Sequence, residues 1–335
     1  MEFTFYLGVD VSKNELDFSL RCGKDDLFHK EIPNTLPAIK QFFKGLKSTP
    51  DFSLEKTLVC LEHTGIYSNH LLAFLHKSGA NVWLESAIKI KQSQGLTRGK
   101  SDKIDAGRIA LYAYEKRDHC RLWKPKREVV QKLAYLSTLR SALVETLKQI
   151  KVRFADSKGF IAKGIATQAE KLCHRTITSL KADIDKVEKA IEDIIKADEH
   201  LKRIFDQTTS VCGVGPVTAT QIIISTNEFE DIKDPKKFAC YSGVAPFPHE
   251  SGLFRGKARV SQMANKKMKT CLHLAALTAI QIDPELKSYY LRRVEQDKKS
   301  KMLVINAVRN KLILRIFACV NQNRKYDKNY KNSFA

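Results

Sequence analysis

The sequence predicts an α/β protein in which a mixed-sheet domain is followed by a long helical hairpin and a mainly α-helical C-terminal region. Three observations support this prediction. Short β-rich runs alternate with helically spaced apolar residues in the first third, near-heptad apolar spacing dominates the middle, and helical spacing returns in the last third. A chain of 335 residues is long enough to form two or more domains with buried cores.

The N-terminal region begins with three successive predicted strands, at residues 3–9, 16–22 and 27–32. Two further strands, at residues 57–61 and 81–84, alternate with helices that begin near Leu36, Tyr67 and Asp102. The resulting order, βββαβαβα, fits a mixed sheet with helices on its faces. In such sheets the strand ends carry the functional site.

Four acidic side chains are the candidate site of this domain. Asp10 and Glu62 each follow a predicted strand, so their carboxylates emerge side by side if the two strands are adjacent and parallel. Asp102 and Asp105, three residues apart, share one face of the next helix. Carboxylates this close repel one another unless cations compensate them, which predicts binding of divalent metal ions. The alternative is an ordinary helix start, with Ser101 as N-cap and Asp102 favoured by the helix dipole.

The acids lie in a basic protein, because the net charge is +21 while the hydrophobic fraction of 43% is ordinary. Nucleic acid is therefore the expected partner, and no amphipathic basic segment indicates a membrane anchor. Four basic residues around the helix start are predicted to hold phosphates: Arg98, Lys100, Lys103 and Arg108.

Two long amphipathic helices are predicted from about residue 128 to 154 and from about 168 to 205, with a break near Ser157-Lys158-Gly159. We interpret them as an antiparallel coiled-coil arm that pairs protomers or spans nucleic acid. An internal helical hairpin is the alternative.

The C-terminal region contains two further candidate features. Gly213 and Gly215 form a turn before a helix that starts at Pro216, which leaves backbone N–H groups free for a phosphate, although such a turn can also be purely structural. Ser251, beside Gly252, is predicted to lie in a polar, flexible loop where its hydroxyl is exposed for attack, although loop serines are mostly turn formers. A basic run follows, predicted to bind nucleic acid: Arg255, Lys257, Arg259, Lys266 and Lys267.

Several protein classes are disfavoured by the sequence. The eight cysteines occur singly and without zinc-site spacing, which indicates reduced thiols. The start of the chain has no basic segment before an apolar one, and the apolar run at residues 303–320 is interrupted by charged side chains. We therefore expect a soluble, cytoplasmic protein.

Five segments together resemble the DEDD-type insertion-sequence transposases, which are serine recombinases guided by a bridge RNA. The matching segments, in chain order, are residues 7–13 (Leu-Gly-Val-Asp-Val-Ser-Lys), 61–67 (Leu-Glu-His-Thr-Gly-Ile-Tyr), 100–106 (Lys-Ser-Asp-Lys-Ile-Asp-Ala), 213–219 (Gly-Val-Gly-Pro-Val-Thr-Ala) and 241–246 (Tyr-Ser-Gly-Val-Ala-Pro) with Ser251-Gly252. The resemblance implies four regions: a RuvC-like, RNase H-fold domain at 1–125, a coiled-coil arm at 126–206, a C-terminal transposase domain at 207–325 and a basic tail at 326–335.

The same resemblance implies the roles of the candidate residues. Asp10, Glu62, Asp102 and Asp105 become ligands of two Mg²⁺ ions, and Ser251 becomes a nucleophile that forms a covalent phosphoserine. Family members join acids and serine from different protomers, so a homo-oligomer, a dimer or tetramer, is implied. The implied partners are target DNA, donor DNA and a guide RNA encoded by the element.

The sequence thus predicts a transposase that cuts and rejoins DNA. A RuvC-like nuclease or Holliday-junction resolvase is the first alternative, in which the acids activate water and Ser251 is an ordinary residue. A non-catalytic basic architectural protein is the second.

Overall fold

The computed structural model describes residues 2–63, 65–93, 101–252 and 254–328, without the side chains of His249 and Lys257. Arg98 and Lys100 therefore lie outside the described residues, as does most of the tail predicted at 326–335. The chain divides into two compact units, residues 1–125 and 126–335.

The first unit is built on a five-stranded sheet with strands β1 (Phe5–Val11), β2 (Glu15–Cys22), β3 (Asp25–Pro33), β4 (Thr57–Glu62) and β5 (Asn81–Glu85). Their order across the sheet is β3-β2-β1-β4-β5. The strands β1, β2 and β3 pair antiparallel, whereas β1, β4 and β5 run parallel to one another. This mixed sheet confirms the predicted RNase H-like fold class.

Helices cover both faces of the sheet because each strand presents apolar side chains alternately to the two sides. The helices are α1 (Leu36–Leu46), α2 (Asn69–Lys77), α3 (Ala87–Ser93) and α4 (Asp102–Glu115). Phe42 of α1 and Leu71 of α2 pack in one core with Leu7 of β1. On the opposite face, Ile90 of α3 and Ile109 of α4 pack in a separate core with sheet residues such as Tyr6.

Gly8 on β1 lets α4 lie directly against the sheet. A Cβ atom added at Gly8 would sit 2.3 Å from both the Ala106 carbonyl oxygen and the Ala110 backbone nitrogen. Distances this short involve backbone atoms that cannot rotate away, so any side chain at position 8 would push α4 off the strand. The first turn of α4 carries Asp102 and Asp105, and Gly8 therefore sets how close these acids come to the sheet.

The second unit is mainly helical. Its helices are α5 (Glu128–Ser157), α6 (Lys163–Ala197), α7 (Glu199–Thr209), α8 (Pro216–Thr226), α9 (Pro235–Tyr241), α10 (Lys266–Ile282), α11 (Pro284–Leu291) and α12 (Lys301–Asn321), with a π-helical turn at Arg292–Gln296. Residues such as Leu201, Ile222, Leu272 and Leu312 form its core. Within the described ranges, no helix is long and apolar enough to cross a membrane.

The prediction of one continuous helix from about 168 to 205 is wrong. The helix ends at Ala197, and a new helix starts after Asp198, whose carboxylate accepts a hydrogen bond from the Leu201 backbone N–H at 2.9 Å. Arg127 donates to the same carboxylate at 2.7 Å and to Glu228 at 3.0 Å. Asp198, held by Arg127 from a distant part of the sequence, therefore caps a new helix at this point. The apolar spacing continues through the break and gives no sign of it.

The prediction that Ser251 lies in a flexible loop is also wrong. Strands β6 (Pro246–Ser251) and β7 (Phe254–Val260) form an antiparallel hairpin, in which Ser251 pairs with Phe254 across the turn. Gly252 in that turn has a φ of +56°, a conformation that favours glycine. Two prolines in β6 hide the usual strand pattern, because proline is rare within strands.

We predict that Gly8→Ala destabilises the first unit, because the new methyl group clashes with the α4 backbone. The expected loss in the free energy of unfolding is about 1–3 kcal/mol, as for other overpacked cores, measured by chemical denaturation. The matched control is Gly45→Ala in α1, where an added Cβ meets nothing within 4 Å and should stabilise the helix by about 0.4–1 kcal/mol. Equal stability of the Gly8 variant and the native protein would contradict the close seating of α4.

Candidate active site

Asp10 and Glu62 lie side by side at the ends of two parallel strands. The last registered pair of β1 and β4 is Val9 with Leu61, so the next residue of each strand is one of the two acids. Gly8 and Cys60 lie on the face of the sheet that packs against α4. Asp10 and Glu62 each come two residues later on the same strands, so they point to that face as well. Both are half-buried.

Helix α4 adds Asp102 and Asp105 to the same face. Ser101 caps the helix, its hydroxyl accepting a hydrogen bond from the Ile104 backbone N–H at 3.3 Å. The buried residues Ala106 and Ile109 follow the two acids at a spacing of four, so the acids extend the sheet-facing side of the helix by one turn. The capping interpretation and the shared face are therefore both correct.

The charges of neighbouring acids affect both strand acids, Asp10 and Glu62. Burial is the main factor that raises the pKa of Asp10, and the charges of Asp102, Asp105 and Asp17 raise it further, while a hydrogen bond from the Val11 backbone lowers it. Burial likewise raises the pKa of Glu62, followed by the charges of Asp10 and Asp105. The fold therefore holds Asp10 and Glu62 where burial first, and the neighbouring charges second, disfavour their ionisation.

Asp105 also forms an ion pair with a neighbouring arginine. Arg108 donates to it at 2.9 Å, so this arginine orients one of the acids. Lys103 on the same helix is exposed.

Sequence reasoning missed a fifth acid, Asp17, and its partner His29. Asp17 lies on β2 directly opposite Asp10 and is 5% exposed. His29 Nε2 on β3 lies 2.8 Å from the Asp17 carboxylate. The alternation of apolar and polar residues along β2 could have placed Asp17 on the face of Asp10, but the His29 contact depends on the register of β3.

Among the residues that the structure describes, no group of three or more His, Cys, Asp or Glu side chains is arranged to hold a metal ion. The donor chemistry still fits a hard divalent cation. Mg²⁺ prefers oxygen ligands and is commonly held by one or two carboxylates, with water and substrate phosphates as the other ligands. Asp10 and Glu62 offer one such pair of carboxylates, and Asp102 and Asp105 offer another.

The hairpin of the second unit places Arg255 and Arg259 on opposite faces. Paired residues in antiparallel strands point to the same face, so exposed Ser251 shares a face with Phe254. Arg255 pairs with Glu250, one residue along, and Arg259 pairs with Phe247. Arg255 therefore lies on the face opposite Ser251. Phe247 lies four residues before Ser251 on β6 and shares its face, and its partner Arg259 shares that face too, because the register shifts between Phe247 and His249. This favours Arg259 over Arg255 as a contact to a phosphate at the serine. The side chain of Lys257 is not described.

The remaining predicted nucleic-acid contacts lie on helix starts. Gly215 is the N-cap residue of α8, and an added Cβ would meet nothing within 4 Å. Gly213 has a φ of +88°, and a Cβ there would come within 2.5 Å of the Ala275 carbonyl oxygen, so it packs this turn against α10. Lys266 and Lys267 begin α10 and are exposed.

Comparison with known proteins identifies the family. A family model described as DEDD_Tnp_IS110, a transposase, matches residues 7–156. A second model, described as the transposase IS116/IS110/IS902 family, matches residues 206–291. The chain belongs to the IS110-family DEDD transposases. The first match contains all four acids, and the second contains Ser251 and the basic residues around it.

Curated relatives of this DEDD transposase include recombination proteins. Two pilin gene-inverting proteins, from Moraxella bovis and Moraxella lacunata, are each 23% identical over 332 residues, covering 96% of this chain and 98% of theirs. An insertion element IS900 uncharacterized 42 kDa protein from Mycobacterium paratuberculosis is 22% identical over 53% of this chain and 45% of its own length. Together with the family, these relatives imply DNA as a partner and suggest dependence on a divalent metal.

We predict that Asp10→Asn stabilises the metal-free DEDD transposase at neutral pH and abolishes its stabilisation by Mg²⁺ or Mn²⁺. Because the folded state raises the pKa of Asp10 above its ordinary value of 3.8, ionisation opposes folding as pH rises through the folded-state pKa. The gain, a few degrees in melting temperature, should vanish below pH 3.8, where the carboxyl is protonated in both states.

Thermal denaturation with EDTA and with Mn²⁺ measures both effects. Glu128→Gln is the control, because Glu128 is an exposed acid paired with Lys132 and should not alter the metal response. A Mn²⁺-induced shift retained by Asp10→Asn would argue against Asp10 as a ligand.

Proposed function

We propose that this transposase cuts and rejoins DNA through a covalent phosphoserine at Ser251, assisted by divalent metal ions on Asp10, Glu62, Asp102 and Asp105. The observation that carries the proposal is the placement of Ser251. It is an exposed hydroxyl at the tip of a two-stranded hairpin, where a DNA phosphate can approach it, in a chain whose segments resemble serine recombinases.

The proposed reaction needs no energy-carrying cofactor, because each step forms one P–O bond and breaks another. The Ser251 Oγ attacks phosphorus, a bond forms between them, and one bridging P–O bond of the DNA backbone breaks. The proton of the serine hydroxyl passes, directly or through a base, to the departing DNA oxygen, which becomes a free hydroxyl. A different DNA hydroxyl then attacks the phosphoserine, which releases the serine and restores a phosphodiester.

The four acids are proposed to hold two Mg²⁺ ions. Such ions, when bound, stabilise the negative charge that builds on the phosphoryl and departing oxygens. The four acids form two pairs of carboxylates. A pair can supply two of the ligands of a Mg²⁺ ion, and DNA phosphates and water can supply the others. Arg108 would keep Asp105 oriented through their ion pair at 2.9 Å.

The names of the relatives favour recombination over simple cleavage. Inverting a gene segment requires strands to be rejoined as well as cut, and two relatives that span nearly the whole chain are named for gene inversion. A nuclease or junction resolvase with activated water remains the second candidate, favoured by the acids alone, which need no serine for hydrolysis.

The basic residues are proposed to hold DNA and a guide RNA encoded by the element. Arg255 and Arg259, and Lys266 and Lys267, are exposed on the hairpin and at the start of α10. The backbone N–H groups after Gly215 and the side chains of Lys103 and Lys257 are further candidates, as are Arg98 and Lys100 outside the described residues.

The helices α5 and α6 are proposed to form an arm within residues 126–206 that pairs protomers into a dimer or tetramer. Large apolar or aromatic side chains stay exposed along it: Tyr135 is 71% exposed, Phe160 91% and Leu172 77%. Side chains of this kind are buried when a partner helix covers them.

We predict that Ser251→Ala abolishes a covalent protein–DNA adduct that the native protein forms with Mg²⁺, matching DNA and the RNA transcribed from the flanks of its own gene. The physical reason is the loss of the attacking oxygen. Denaturing gel electrophoresis with labelled DNA measures the adduct.

Ser261→Ala is the control for this prediction. Ser261 follows the hairpin, and its hydroxyl accepts a hydrogen bond from the Met263 backbone N–H at 3.2 Å, so this variant should retain the adduct. Nicked DNA without any adduct, at equal rates in the native protein and Ser251→Ala, would show that the acids act alone.

We also predict that Arg259→Gln weakens DNA binding similarly for all sequences. Removing one phosphate contact should reduce the slope of log affinity against log salt by about 0.9, measured by fluorescence anisotropy over a salt series. Arg140→Gln is the control, because Arg140 is paired with Glu188. An unchanged slope for Arg259→Gln would show that Arg259 does not contact a DNA phosphate.

A further inference from the structure

Arg309 on α12 is a buried cation. Arg309 is 4% exposed. No Asp or Glu in the described part of the chain forms an ion pair with it. Its Nε–H is buried without a hydrogen-bond partner among those residues. Burial lowers the pKa of the guanidinium, which shows that the environment disfavours the charge.

The contacts of Arg309 lead to the hairpin that carries Ser251. The Nη1 group donates to the Asn306 side-chain oxygen at 3.3 Å, and the Nη2 group donates to His273 Nδ1 at 2.5 Å. The Asn306 side-chain nitrogen then donates to the Val244 carbonyl oxygen at 2.8 Å. Val244 lies two residues before β6, so the chain of contacts ends at the base of the hairpin.

The direction of these contacts explains why a cation is needed. An asparagine amide can turn by 180°, and either its oxygen or its nitrogen can then face a given neighbour. The guanidinium has only donors, so it holds the oxygen of Asn306 towards itself and leaves the nitrogen facing Val244. A neutral apolar side chain at position 309 would remove the donor that holds the Asn306 oxygen and leave the Val244 carbonyl to orient the amide alone.

We propose that Arg309 is a positioning residue for the Ser251 hairpin, acting through Asn306 and the Val244 carbonyl. This inference rests on the proposed nucleophilic role of Ser251. The protein bears an uncompensated buried charge, and the effect of that charge is to fix the backbone from which β6 starts.

Arg315, on the same helix, shows the contrasting arrangement. It donates to Asp283 at 2.8 Å and to Glu285 at 2.6 Å, and Asp283 is 2% exposed. Removing Arg315 would leave a buried carboxylate unpaired, which is destabilising, whereas removing Arg309 relieves an unpaired charge. Arg315 therefore has a structural role, whereas Arg309 is proposed to have a positioning role.

Two variants test the proposal. Arg309→Met removes the charge and the donors, and Asn306→Asp supplies a carboxylate to Arg309 but removes the donor to Val244. Arg309→Met should keep or raise the melting temperature. Both variants should keep DNA affinity and slow single-turnover formation of the Ser251–DNA adduct about 10- to 100-fold. Arg309→Lys, which retains a cationic donor, should recover part of the rate. Arg315→Met should lower the melting temperature and keep the adduct rate below its unfolding transition.

Hydrogen exchange of the backbone amides in residues 244–252 provides a readout that does not depend on activity. Faster exchange in Arg309→Met and Asn306→Asp than in the native protein supports positioning, even if the native protein forms no adduct, in which case the proposed function fails alone. Native exchange in both variants, or a native adduct rate in both, overturns the proposal.

Discussion

The close contact between Gly8 and α4 is the constraint on which the first unit depends. The backbone of α4 approaches β1 so closely that a Cβ at Gly8 would lie 2.3 Å from two backbone atoms. This contact brings the first turn of α4 to the face where β1 and β4 end. Gly8, whose side chain is a single hydrogen atom, therefore allows the helix that carries Asp102 and Asp105 to lie directly against the strand that carries Asp10.

Each unit also contains buried charged groups that reduce its stability, acidic groups in the first unit and a basic group in the second. Burial and mutual repulsion raise the pKa of Asp10 and of Glu62, so metal-free folding opposes their ionisation. In the second unit, Arg309 is buried, and no acid among the described residues forms an ion pair with it. Groups that reduce stability in this way are frequently functional, because selection retains them for another reason. By contrast, Arg127, Asp198 and Glu228 form a paired network that joins helices.

The sequence predicted much of the fold because its elements have strong local signals. The strands and helices of the first unit were found by alternation and helical spacing, and the acids by their positions after strands and on one helix face. Asp17 was missed because its partner His29 depends on the register between β2 and β3. The sequence predicts a loop at Ser251 because prolines and glycines obscure a short hairpin. The break at Asp198 was missed because the apolar spacing continues through it, and its cause, Arg127, is distant in sequence.

We propose that one face of the sheet carries four acids that together bind divalent metal. The most direct measurement is the anomalous scattering of Mn²⁺ in crystals of the protein with its DNA and RNA. The account predicts manganese bound by Asp10 or Glu62 together with an acid of α4, with a DNA phosphate among the ligands. Manganese bound only elsewhere at saturating concentration, with DNA in place, would contradict it.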